Sequence, residues 1–142
     1  MILYADTSSL AKLYLCEPHS AEVVDWVQAA DAVATSRVTY AEVASALARR
    51  HAGGSLSDRS LRLSLDDLAE GWGDYLVVDL AERLAGELAV RHVLRGFDAI
   101  HLAAALTVGE AVGTDALALA SFDGALNRAA VSEGLIVLEP GA

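Results

Sequence analysis

Four acidic residues stand where one sheet edge could gather them. Asp6 follows Met1-Ile-Leu-Tyr-Ala, Glu42 follows Thr39-Tyr-Ala, Asp98 lies in Gly96-Phe-Asp-Ala-Ile-His101, and Asp123 follows Ala120-Ser-Phe. The three aspartates follow an apolar run or open a helix, and Glu42 falls in a helix's first turns. In an open parallel sheet these points share the carboxyl edge of the strands, where such folds place their sites. Four carboxylates crowded there repel one another unless divalent cations sit between them. The chemistry indicated is therefore metal-assisted. Ser8, two residues after Asp6, and Ser121, two before Asp123, bring hydroxyls that suit a carboxylate or a metal-bound water, and equally a turn or cap. His101 lies one turn beyond Asp98, in an apolar helix where a lone histidine is more often a core or interface residue than a ligand.

Each acid also has a purely local explanation. Asp6, Asp98 and Asp123 occupy N-cap positions, where a carboxylate accepting free helix N–H groups contributes roughly 1 kcal/mol without any catalysis. Phe97 and Leu102 have the spacing of a hydrophobic staple around an Asp98 cap, and Thr39 with Glu42 has that of a capping box. Capping does not explain why all four fall on one edge, since serine or threonine would cap there without mutual repulsion. Asp115 precedes a strand and belongs to the opposite edge. Asp79 follows a strand but has no comparable motif around it.

The elements that must position these residues alternate. Strands are expected at Ile2–Ala5, Ala32–Thr35, Tyr75–Val78, Leu117–Ala120 and Leu135–Leu138, each a short apolar run without polar alternation, as in a sheet covered on both faces. Helices are expected over Leu10–Leu15, from His19-Ser20 through Val27, from Val38 to Arg50 with a stop at Gly53-Gly54, from Ser57 through Leu68, over Leu80–Val93, from Phe97 through Leu106, and over Ala125–Val131. Glu17-Pro18 ends the first. Strands separated by helices imply right-handed crossovers and a parallel sheet. The expected fold is three-layer α/β/α around a central five-stranded parallel sheet, with residues 1–142 forming a single domain.

Composition narrows the class. With 54% hydrophobic residues the chain is not an acidic disordered tail, and its longest uncharged stretches are too short to span a bilayer. Met1 leads directly into a strand, with no export signal ahead of it, so a cytoplasmic protein is expected. The lone Cys16 excludes an internal disulfide and reads as an ordinary helix-end residue. A net charge of −10, from 20 acidic and 10 basic residues, opposes nonspecific attraction to nucleic acid. Local arginines oppose that trend: Arg49-Arg50-His51, Arg59 with Arg62, and Arg91-His92 with Arg95. Arg49, Arg50 and Arg95 are the candidate phosphate contacts, and solvated helix faces are the plainer account of the same residues.

The strand-end Asp-Thr-Ser followed by Leu-Ala-Lys-Leu-Tyr, the Thr-Tyr-Ala-Glu-Val helix, the Phe-Asp-Ala-Ile-His-Leu-Ala-Ala-Ala helix and the late Ser-Phe-Asp resemble a PIN-domain ribonuclease. More narrowly, the chain is similar to the VapC toxins of type II toxin–antitoxin modules, over essentially its whole length and in motif order. The resemblance implies an acidic quartet at Asp6, Glu42, Asp98 and Asp123, with Ser8 at the family's frequent Ser/Thr position after the first acid. Serine at 121 replaces a commoner threonine, and Arg95-Gly-Phe precedes Asp98 where members vary. It further implies a Mg²⁺- or Mn²⁺-dependent endoribonuclease, an RNA substrate, a small antitoxin as inhibitor and a homodimer, with no membrane partner. Two other readings of the acids exist. An aspartyl-phosphate phosphohydrolase would use Asp6 as nucleophile, but its usual second aspartate is here Ser8. A non-catalytic receiver-like domain would need a lysine near the last strands, and the only lysine is Lys12.

Overall fold

The computed structural model describes residues 1–141. Five strands, β1 (Ile2–Ala5), β2 (Ala32–Ser36), β3 (Leu76–Val78), β4 (Leu117–Ala120) and β5 (Ile136–Leu138), form one sheet in the order β3-β2-β1-β4-β5. Every pairing is parallel. The seven helices are α1 (Thr7–Leu10), α2 (Ser20–Ala29), α3 (Thr39–Ala52), α4 (Asp58–Gly71), α5 (Glu82–His92), α6 (Gly96–Val112) and α7 (Gly124–Ser132). None of the described helices is long and apolar enough to cross a membrane.

Alternation along β1 divides the core in two, because successive strand side chains point to opposite faces. Tyr4 packs with β4 residues Leu117 and Leu119 and with Leu88, Leu102 and Leu126 from α5, α6 and α7. Leu3 and Ala5 face the other way, toward Leu10, Val43, Leu47 and Leu68 from α1, α3 and α4. Helices on both faces explain why the strands carry apolar residues without alternation. The expected three-layer arrangement is therefore present.

Some boundaries differ for local reasons. The first helix begins earlier, at Thr7, and breaks at Leu10 into a 3₁₀ turn over Ala11–Leu13. Asp6 supplies its cap, so the helix starts directly at the end of β1. Helix α3 ends at Ala52 against Gly53-Gly54, with Gly54 in the left-handed region at φ 84°. Helix α6 starts at Gly96 with Arg95 as its N-cap residue, so Asp98 lies inside the first turn. Val93, between α5 and α6, adopts φ 53°, a conformation costly for a β-branched residue.

Chain order reverses beside β1. The chain runs from β1 to β2 and β3 on one side, then crosses to β4 and β5 on the other. The crevice above β1 and β4, at their carboxyl ends, is the topological switch point, where open α/β sheets bind ligands.

Candidate active site

Asp6 stands at this switch point. Its N–H donates to Ala120 O at 3.2 Å, prolonging the β1–β4 ladder by one residue. Its side chain is almost fully buried and accepts three hydrogen bonds: Oδ1 from Ser8 Oγ at 2.7 Å and from Ser9 N at 3.0 Å, and Oδ2 from Ser121 Oγ at 2.7 Å. The two serine hydroxyls also accept. Ser8 Oγ takes the Phe122 N–H at 2.9 Å, and Ser121 Oγ takes the Asp123 N–H at 3.1 Å. Ser8 and Ser121 thus bind the β1–α1 and β4–α7 connections together around one carboxylate. Burial raises the Asp6 carboxyl above its ordinary range, opposed by the His101 charge and by the donors from Ser121, Ser8 and Ser9. The sequence led us to expect elevation from crowded like charges, whereas here burial dominates.

Glu42 projects from α3 into the same edge. The expected capping box is absent: α3 begins at Thr39, and Thr39 Oγ1 accepts instead from Thr35 Oγ1 at 2.8 Å. This leaves the Glu42 carboxylate to tertiary partners. Its Oε1 accepts from Thr7 Oγ1 at 2.6 Å and lies 3.0 Å from His101 Nε2. An ionised carboxylate only accepts, so Nε2 carries the proton. The other ring nitrogen, Nδ1, lies 2.9 Å from the Tyr4 hydroxyl. Burial raises the Tyr4 phenol well above its usual pKa, with the nearby Asp6 and Glu42 charges adding to it, so it remains a donor. Burial alone would raise Glu42 too, but the hydrogen bonds from His101 and Thr7, with the His101 charge, hold it below its ordinary range. Thr7, His101 and Tyr4 are site residues that sequence reasoning did not assign. His101 was weighed chiefly as a core residue, and it is indeed buried, but its ring orients Glu42.

Asp98 and Asp123 share a cation. Arg95 donates from Nε to Asp98 Oδ2 and from Nη2 to Asp123 Oδ2, both at 2.9 Å. Asp123 does cap α7, its Oδ1 accepting from Leu126 N at 2.8 Å. Asp98 is not a cap, and Phe97 is exposed within the helix rather than stapled beneath it. Arg95, expected to face phosphates, is committed to these two carboxylates.

The donor set is all oxygen, which suits a hard divalent cation such as Mg²⁺ or Mn²⁺. The guanidinium between Asp98 and Asp123 acts as a stand-in cation, and its position fits a charge shared by both. No three of the described His, Cys, Asp and Glu side chains are gathered closely enough to hold one ion as they stand. Each carboxylate is turned toward a protein donor: serines at Asp6, Thr7 and His101 at Glu42, Arg95 at the other two.

A groove runs beside the acids. One part, about 470 Å³, is lined by Thr7, Ser8, Lys12, Glu17, Arg49 and Arg50, and an adjoining part of about 500 Å³ by Thr7, Val38, Glu42, Ser45, Arg49 and Phe97. Arg50 donates to Glu17 at 2.7 Å, and Lys12 contacts the same carboxylate at 3.0 Å while lying 4.5 Å above the Phe122 ring. Arg49 donates to Ser45 Oγ at 2.6 Å. Elsewhere Arg91 and His92 both pair with Glu133, Asp79 pairs with Arg37, and Asp115 lies in the turn before β4, at the sheet's amino edge.

Comparison with known proteins agrees with this architecture. The sequence model of the PIN domain matches residues 3–132. Ribonuclease VapC45 of Mycobacterium tuberculosis is 37% identical over 112 residues, covering 77% of this chain and 78% of its own. Ribonuclease VapC35 of the same organism is 30% identical over 142 residues, covering 99% of this chain and 98% of its own. Among solved structures, VapBC2 from Rickettsia felis, bound to a DNA fragment from its promoter, shares the fold at a TM-score of 0.63 and 14% identity, over 97% of this chain and 98% of that one. The chain belongs to the PIN-domain family, among relatives named ribonuclease VapC.

Proposed function

We propose that residues 1–142 act as one nuclease domain, a divalent-metal-dependent endoribonuclease and the toxin of a cytoplasmic type II toxin–antitoxin pair. The observation that carries this reading is the convergence of Asp6, Glu42, Asp98 and Asp123 on one sheet edge with Asp98 and Asp123 already sharing a cation. Family membership and the ribonuclease relatives support it.

In this reading the quartet holds one or two Mg²⁺ or Mn²⁺ ions. Such an ion, when bound, supplies positive charge to the phosphodiester and acidifies the attacking water. The chain supplies position. Ser8 and Ser121 fix the Asp6 oxygens, while Thr7 and His101 fix Glu42, so that few carboxylate rotamers remain to be frozen when the substrate arrives. Lys12, Arg49 and Arg50 give the groove a basic wall on an acidic protein, suited to the backbone of single-stranded or structured RNA. A homodimer would set two such grooves side by side. An antitoxin placing an arginine or lysine against the quartet would inhibit by occupying it, and the site already accommodates a guanidinium.

An aspartyl-phosphate role for Asp6 is disfavoured, because the second aspartate such a site uses two residues on is here Ser8, whose hydroxyl donates to Asp6 Oδ1. A receiver-like role lacks its lysine, since Lys12 is held by Glu17 and Phe122.

Asp6→Asn and Asp98→Asn each remove a charge with little change of shape. Both variants should lose Mn²⁺-dependent RNA cleavage by at least about a hundredfold while keeping a native circular dichroism spectrum. Asp115→Asn, on the opposite edge, should cleave like the wild type. Retained cleavage by both quartet variants would reject the assignment.

A further inference from the structure

Asp6 and Glu42 are held by neutral donors and by a ring, but Asp98 and Asp123 are held by a full positive charge from their own chain. Both side-chain hydrogen bonds of Arg95 go to these carboxylates, one nitrogen to each. The planar fork suits this bridging, and charge-assisted bonds of this kind are the stronger ones.

Two details make the contact exclusive. Asp123 Oδ1 is already spent on the α7 cap, so Oδ2 is the oxygen left for any ligand, and Arg95 occupies it. A divalent ion on Oδ2 would stand within a few ångströms of the guanidinium, where like charges repel strongly. The Arg95 side chain is also 79% exposed, above carboxylates that are 15% and 24% exposed. It lies across the mouth of the half-site. Its backbone is extended at φ −61° and ψ 150°, outside the helix, so the side chain can swing into solvent by rotating its own bonds.

We propose that Arg95 is a resident counter-ion of the Asp98–Asp123 half-site, which a divalent cation must displace in order to bind. The inference rests on the metal-dependent reading above and adds its regulation. The cation-free site is kept neutralised and ordered by Arg95, and metal affinity is set by competition with it. Mutual exclusion requires that each cation weaken the other's hold by the same factor.

The test is titration of Mn²⁺ into chelator-stripped, full-length protein, with the free ion followed by its paramagnetic resonance signal. Arg95→Gln removes the competitor and should bind Mn²⁺ about two- to tenfold more tightly than wild type, the range expected from losing one or two solvent-exposed ion pairs. Arg95→Lys keeps the charge but not the fork, and its single ammonium cannot reproduce both bonds. It should bind about twofold more tightly than wild type. Equal or weaker binding by Arg95→Gln overturns the proposal. So does an Arg95→Lys affinity equal to wild type beside a tighter Arg95→Gln, since charge alone would then explain the effect. Asp98→Asn separates the two readings. If it binds Mn²⁺ as the wild type does, Asp98 is no ligand, and the metal reading and the proposal fall together. If it binds more weakly while the Arg95 variants behave like wild type, only the proposal falls.

Discussion

Asp6 and Glu42 stand at one edge of the sheet yet are perturbed in opposite directions, and the difference lies in their partners. Asp6 is more deeply buried, and burial outweighs its three hydrogen bonds. Glu42 is part-buried, and its contacts with His101 and Thr7 prevail over the same effect. The consequences for stability have opposite signs. A raised folded pKa at Asp6 gives stability that is full below its ordinary value of 3.8 and lost as pH rises through the folded value. A lowered folded pKa at Glu42 gives stability present above 4.5 and lost as pH falls through its folded value. Metal-free Asp6→Asn should therefore lose less of its melting temperature than wild type as pH climbs from about 4 to 7, whereas Glu42→Gln should flatten the acid limb below about 4.5. Melting curves in EDTA across that range provide the check. An unchanged slope above pH 4 in Asp6→Asn would show that its burial does not govern the neutral limb.

At the scale of elements, the connection between α5 and α6 carries the clearest local cost. Val93 caps α5 in the left-handed region and is 90% exposed, so no packing compensates for the strain. Val93→Gly should raise stability by roughly 1 kcal/mol, read as a higher urea midpoint at unchanged slope. Elements were also where the sequence was most and least informative. The five apolar runs announced the five strands because a sheet covered on both faces has no use for alternation, and Gly53-Gly54 announced the end of α3. Thr39 and Glu42 carried the spacing of a local cap, yet Thr39 bonds Thr35 and Glu42 bonds residues from α1 and α6. Thr7 belongs to α1 and His101 to α6, so the choice depends on which partners the fold delivers, and short-range spacing holds no record of it. The same applies to His101. Its partners Tyr4 and Thr7 lie more than ninety positions away in sequence, so its helical spacing from Asp98 suggested a shared face and nothing more. Arg95 was visible as a charge, but its commitment to Asp98 and Asp123 depends on where β4 delivers the latter.

For the whole molecule, a net charge of −10 and the proposed RNA substrate are compatible because charge is unevenly distributed. Lys12, Arg49 and Arg50 meet along one groove, although Glu17 answers two of them. Among the described residues, Arg49 is the one of the three without a carboxylate partner. In an Asp98→Asn background, expected to bind without cutting, Arg49→Gln should weaken RNA binding for all sequences and lower the salt slope by about 0.7 to 0.9. Affinity measured at several salt concentrations tests this, and an unchanged slope would remove Arg49 from the contact surface.

The pairing of β1 with β4 also orders events in time. The central strand is made well before the neighbour that completes its far side, which comes only with residues 117–120. Asp6 must wait for Ser121, 115 positions later, before its second oxygen has a partner. The crevice is thus only half walled through the whole interval between β1 and β4, and a contact spanning so much chain carries a large loop-closure cost. Under the proposed nuclease function, a nascent chain halted before β4 lacks both the Ser121 donor and Asp123 and should leave RNA uncut.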